Sequence, residues 1–200
     1  ARHRGVDVRV ILENSYSTPW SEQHPSHLPI RQRRRHRQLM QLADHNGDGI
    51  TTGDEASSGD AVAILRRGRL PLVDDTDDGS RGSGLMHHKF MVIDRRSVLT
   101  GSANFTSSGI HGDAGAPQSR GNVNHLLRLD SPDLAELFRQ EFLVMWGDGP
   151  DGEQNSRFGV KKRSGGVQQV MVGETKVEVL FSPHRKSNRD HGLNWLEQQL

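Results

Sequence analysis

The 200 residues include no cysteine, so no disulfide holds this fold together. Aromatic residues are few. One Tyr, three Trp and six Phe do not suggest the stacking platforms on which single-stranded nucleic acid is read. Neither sign of charge is in excess: 26 basic against 25 acidic residues leave a net charge of +1. No global field therefore draws the chain to nucleic acid or to a membrane. No apolar run approaches the roughly 18 residues of a transmembrane helix. Hydrophobic residues make up only 32%, but they fall in short runs separated by many of the 22 glycines. That pattern describes a folded domain with many turns, and the length suits one or two domains. The first residue is Ala, so the start of the chain carries no information on targeting.

Taken in order, apolar residues alternate from Val6 to Leu12 and predict a strand. Arg4-Gly5 before it reads as the end of a helix, as if the chain began within a βαβ unit. Residues 14–30, rich in Ser, Pro and His, predict a loop. Residues 31–43 predict a helix that opens on Arg-Gln-Arg-Arg-Arg-His-Arg. Such a run is either a solvated helix face or a contact surface for the phosphates of nucleic acid or lipid headgroups. An Ala-rich helix is expected over roughly 55–68 and a short strand from Leu70 to Asp74. The acidic Gly-rich segment 74–84 is a linker or a gate beside the stretch that follows it. After residue 106 come a polar loop over 107–121, a strand over 122–130, and a helix from Ser131-Pro132 to about Trp146. Leu134, Leu137, Phe138, Phe142 and Met145 form the apolar stripe of that helix, and Trp146 is expected in the core. A polar connector (147–165), a hairpin over 167–172 and 175–182, and a helix from 192 complete the chain. Helices and strands alternate, which predicts an α/β fold with a mixed sheet.

Two stretches carry chemistry. Residues 44–55 begin Asp44-His-Asn46-Gly-Asp48-Gly49, the start of a calcium loop. Oxygen ligands at its first, third and fifth positions converge around the turn at Gly49, the carbonyl of Ile50 adds another, and Glu55 closes the loop. One detail departs from the pattern: Ile50 is one position early, and the alternative is a loop one residue short with Asp54 closing it. Flanking helices make this a helix–loop–helix insertion, 31–68, in which Ca2+ would be structural.

The second stretch is 86–106, Met-His-His-Lys-Phe-Met-Val-Ile-Asp through Gly-Ser-Ala-Asn-Phe-Thr. Apolar runs at 90–93 and 97–100 flank Asp94-Arg-Arg and predict a hairpin. Alternation puts His87 and Lys89 on one face and Phe90 and Val92 on the other. Ser102 and Asn104 share a side of the second segment, and Gly101 leaves the backbone open to a ligand. Imidazole, ammonium, hydroxyl and amide together suit a tetrahedral anion, most simply phosphate. His88 faces away from His87 and reads as a packed or hydrogen-bonded residue. His111 and His125 receive no role.

This stretch resembles the phospholipase D superfamily. His87, Lys89 and Asp94 match its H-x-K-x4-D motif, and Gly101, Ser102 and Asn104 match the G-S-x-N segment that follows. The likeness is nearest to bacterial phospholipase D-like proteins that carry a D-x-N-x-D-G insertion. It implies a phospholipase D-like mixed sheet flanked by helices. Residues 1–165 would form a first repeat and 166–200 the start of a second, opening on Val-Glu-Val-Leu-Phe-Ser-Pro. It also implies a phosphodiesterase of the phospholipase D type acting through a phosphohistidine, on phospholipid or, as an endonuclease, on DNA or RNA. A non-catalytic, calcium-stabilised binding module is the remaining alternative. His87 would be the nucleophile or its acid/base counterpart. Lys89, Ser102 and Asn104 would hold the non-bridging oxygens. Asp94 would act indirectly, by holding the turn. No cofactor is implied for catalysis. The second half of the site would come from a C-terminal repeat or from a homodimer. Asn124 stands where many members carry a Glu that orients the catalytic His; an amide orients the ring but stabilises imidazolium less than a carboxylate does.

Overall fold

The computed structural model describes residues 2–76, 86–110, 112, 116, 118–163, 165–184 and 192–200. Most of the acidic segment at 74–84 and His111 lie outside the described residues. The chain forms two compact units, residues 1–74 with 103–124, and residues 75–102 with 125–200.

In the first unit, β1 (Val10–Leu12) and β2 (Leu72–Asp74) pair in parallel, with Val10 opposite Leu72 and Leu12 opposite Asp74. Parallel strands need a crossover, and the intervening helices supply it. α1 (Ile30–Ala43) starts after Pro29, whose fixed φ suits a helix entry, and turns His36 and Ala43 inward. The helix expected over 55–68 is instead two, α2 (Gly53–Gly59) and α3 (Ala61–Arg67). Asp60 causes the break. Its backbone is extended and its carboxylate accepts the N–H groups of Val62 at 2.9 Å, Ala63 at 3.3 Å and Ser21 at 2.8 Å. A short acidic side chain that bonds nearby backbone competes with helix continuation and starts a new helix. A four-residue helix, α4 (Ser107–Ile110), completes the unit.

The second unit holds the antiparallel sheet β3 (Phe90–Ile93), β4 (Ser97–Gly101) and β5 (Leu126–Asp130). The expected hairpin is present, with Phe90 opposite Thr100 and Ile93 opposite Ser97. Its turn is tight: Asp94 and Arg95 both have positive φ, +51° and +55°. The expected strand at 122–130 begins only at Leu126. α5 (Pro132–Trp146) is capped by the Ser131 hydroxyl, which accepts from the Leu134 N–H at 3.3 Å. β6 (Gln168–Val172) and β7 (Thr175–Val179) form a second hairpin, and α6 (Gly192–Glu197) lies near the end of the chain.

The core of this unit is Val98, Leu134, Ala135, Phe138 and Val179, with Phe90, Val92, Leu129, Val170 and Phe181 packed against it. Each of the large side chains stabilises the fold by about 1.5–3 kcal/mol on burial. Phe138 meets both Phe90 and Phe181 edge-on, with ring centroids 5.1 Å apart in each pair. Trp146 is buried as expected and stacks on Phe142. Core packing runs from β3 to β7, so it crosses the repeat boundary read at 165/166.

Candidate active site

Residues 86–89 lead directly into β3 and lie outside its ladder. Alternation continues through them. His88, Phe90 and Val92 turn toward the core, whereas His87, Met91 and Ile93 are exposed. Lys89 is half-buried, and that burial lowers its pKa. Its ammonium donates to the backbone carbonyl of His87 at 2.7 Å. The Lys89 carbonyl in turn accepts from the Thr100 hydroxyl at 3.0 Å, which ties the segment to β4. At its other end, the Met86 N–H donates to the buried Asp75 carboxylate at 3.1 Å.

Ser102 follows the last residue of β4. Its hydroxyl accepts from the His125 N–H at 3.1 Å, and its own N–H donates to the His125 carbonyl at 3.1 Å. Gly101 has a different reason from the one expected. A Cβ there would lie 2.2 Å from the His125 carbonyl oxygen and 3.0 Å from Leu126 Cα, so glycine admits β5 rather than a ligand. Asp94 sits in the exposed hairpin turn, five residues beyond Lys89 or roughly 16 Å along a strand.

Asn104 and Asn124 belong to the first unit, whose boundaries fall between Ser102 and Ala103 and between Asn124 and His125. Asn104 is exposed, and its carbonyl accepts from the Thr106 N–H at 2.8 Å. The Asn124 amide donates to the Gly109 carbonyl at 3.0 Å and, more weakly, to that of Asn122 at 3.5 Å.

His88 has partners that local sequence could not indicate. Its ring packs edge-on against Phe90 and also meets Phe181. Its Nε2 lies 3.2 Å from the Glu141 carboxylate, which also binds the Lys162 ammonium. Lys162 and Glu141 are almost fully buried. Burial pushes the Glu141 carboxyl up, but the His88 hydrogen bond and the Lys162 charge together hold it below the usual carboxylate range. Glu141 and Lys162 lie 53 and 74 residues from His88 in sequence, so no local period connects them.

The residues of the calcium loop are stitched to their own backbone. Asp44 accepts the N–H groups of Gly47 and Gly49, each at 2.9 Å; Asn46 accepts that of Asp48, and Asp48 that of Ile50, each at 2.8 Å. Gly49 has φ +82°, the sharp turn the pattern requires. Glu55 accepts from both the N–H and the hydroxyl of Thr52, which caps α2. The Thr52 backbone, its hydroxyl, and then the amides of Asn46 and His45 lower the Glu55 pKa. Among the described residues, no three His, Asp or Glu side chains are gathered as a metal-holding group.

Residues 1–146 match the family model described as "Cardiolipin synthase, PLD-like domain". The chain is 30% identical over 91 residues to mitochondrial cardiolipin hydrolase of Homo sapiens, a match covering 46% of this chain and 31% of that protein. It is 33% identical over 98 residues to the same-named protein of Xenopus tropicalis, covering 48% and 40%. The chain thus spans less than half the length of these relatives. A phospholipase D family member from Salmonella typhimurium, Nuc, aligns over 76% of this chain and 68% of its own, with a TM-score of 0.39 and 19% identity.

Proposed function

The chain belongs to the phospholipase D-like family of that match, and on this premise we propose that it is a phosphodiesterase hydrolase that cleaves phospholipid phosphodiester bonds at His87. The observation that carries the reading is the Lys89 ammonium, half-buried and bonded to the backbone of an exposed His87 at 2.7 Å. This ties a partly desolvated cation to the backbone of a histidine that is itself exposed.

The chemistry follows from those groups. A neutral imidazole attacks phosphorus; a P–N bond forms as the P–O bond to the leaving alcohol breaks. A second, protonated histidine delivers a proton to that oxygen. The same second histidine then takes a proton from water, whose oxygen attacks phosphorus. The P–N bond breaks and a phosphomonoester leaves. Lys89 and Ser102, in the same unit as His87, neutralise the charge that develops on the non-bridging oxygens. His87 fills one of the two histidine roles. The other comes from a second motif in the full-length protein or from a second copy of the chain.

Phospholipid is favoured as substrate because the curated relatives are named for cardiolipin hydrolysis. The test is hydrolysis of labelled phosphatidylcholine and of plasmid DNA, each with and without EDTA. Headgroup release that persists in EDTA is expected. Plasmid nicking without lipid hydrolysis would replace the lipid reading with an endonuclease. Neither activity would leave a non-catalytic binding module.

A further inference from the structure

The ladder of β3 begins at Phe90, opposite Thr100, so it does not fix the residues just before it. Among the described residues, backbone contacts hold only the two ends of that segment, at the Met86 N–H and the Lys89 carbonyl. The bond from Lys89 to the His87 carbonyl lies within the segment and fastens it to nothing else. Between the ends, the tie is the His88 side chain. Its ring packs edge-on against Phe90, with centroids 5.6 Å apart, and meets Phe181 at 6.0 Å. Its Nε2 reaches Glu141 at 3.2 Å. A carboxylate offers only acceptors, so Nε2 carries the hydrogen and donates. The Lys162 ammonium lies 3.4 Å from the same nitrogen and donates to Glu141. The Glu141 and Lys162 side chains are only 10% and 6% exposed, which leaves them little room to move. Glu141 stands on α5, a turn along from the core residue Phe138. The anchor is thus seated on a helix that the core already holds.

We propose that His88 is a positioning residue for the reaction: held by Glu141 and Lys162, it sets where His87 and Lys89 stand. Each of those two is one planar peptide bond away, so any rotation that frees the His88 ring displaces both. Misplacing a reacting group by about 1 Å costs on the order of a hundredfold in rate. The ion pair has a reason to be here that stability does not supply. A buried pair often stabilises a fold no more than apolar groups of similar size. What apolar groups lack is a fixed acceptor for the His88 ring. The role rests on the phosphodiesterase reading of His87, but half of its test needs no turnover.

The experiment replaces the pair as a unit in the whole chain, Glu141→Leu together with Lys162→Met. No charge is left alone, so the melting temperature should hold or rise, while His88 loses its acceptor. On whichever of phosphatidylcholine and plasmid DNA the wild type cleaves, kcat should fall about tenfold to a hundredfold, with KM within about threefold. The second readout is the titration of Lys89, followed at its Cε resonance in isotope-labelled protein and assigned with Lys89→Arg. It should move up toward that of an ordinary lysine, because burial is what lowers it. His88→Phe, which keeps the ring packing and removes the donor, should shift both readouts in the same way, and it serves if the double variant does not fold. His88→Gln, which keeps a donor, should retain more kcat than His88→Phe. A purely structural pair would move neither readout in a variant that melts with the wild type. In such a variant, kcat within twofold of the wild type or an unmoved Lys89 titration would overturn the proposal. If the wild type cleaves neither substrate, the phosphodiesterase reading falls, and the Lys89 titration alone decides the positioning.

Discussion

Glu141 holds the segment that leads into β3 through its pair with His88. It joins His88 to Lys162 in a nearly buried cluster, and His88 is the immediate neighbour of His87. Replacing Glu141 with Ala would leave the buried Lys162 ammonium without its carboxylate. A loss of about 3–5 kcal/mol is expected in urea unfolding, the range for breaking a buried pair from one side. The pH dependence has a definite sign. The folded Glu141 carboxyl is held below the usual range, so its stabilisation is complete above that range and is lost as pH falls through the folded value. Acid destabilisation should therefore be shallower in Glu141→Gln than in the wild type. Unchanged urea midpoints for Glu141→Ala would contradict the cluster. Alternation showed in advance that His88 faces away from His87. It could not show Glu141 or Lys162, because contacts over 53 and 74 residues leave no local pattern.

Among the elements, the hairpins were the most legible. The runs at 90–93 and 97–100 flank a polar turn, and they form the paired strands β3 and β4. The helix at 132–146 was equally plain, because Ser131-Pro132 marks its start and its stripe repeats regularly. The helix at 55–68 was not, because composition favours a helix throughout while the Asp60 side chain caps a new one. The loop between α1 and α2 was legible as a turn. For its ligand we propose Ca2+, held by Asp44, Asn46, Asp48, the Ile50 carbonyl and Glu55. The hydrogen bonds that Glu55 makes to Thr52 compete with that role. A calcium-dependent rise in melting temperature is expected, worth about 2.7 kcal/mol at a hundredfold excess over Kd, and lost in Asp48→Ala. No shift on adding calcium would leave a self-capped turn.

For the whole molecule, the family and the identity of the motif were legible because six residues at fixed spacing carry them. The division into units was not. It separates Ser102 from Ala103 and Asn124 from His125, within segments that read as continuous. The role of Gly101 was also hidden, since only the register of β4 against β5 brings the His125 carbonyl to its Cα. What the fold does present is His87, exposed on the segment that leads into β3 and anchored on both sides: by Asp75 at Met86, and by Thr100 at Lys89. The most direct measurement is phosphodiester turnover by His87→Ala beside the wild type. The side chain is exposed, so the variant should melt with the wild type. Its turnover should fall by about a thousandfold or more, as expected when a reacting acid, base or nucleophile is removed. Turnover within a few-fold of the wild type would show that phosphorus is not attacked or assisted at His87.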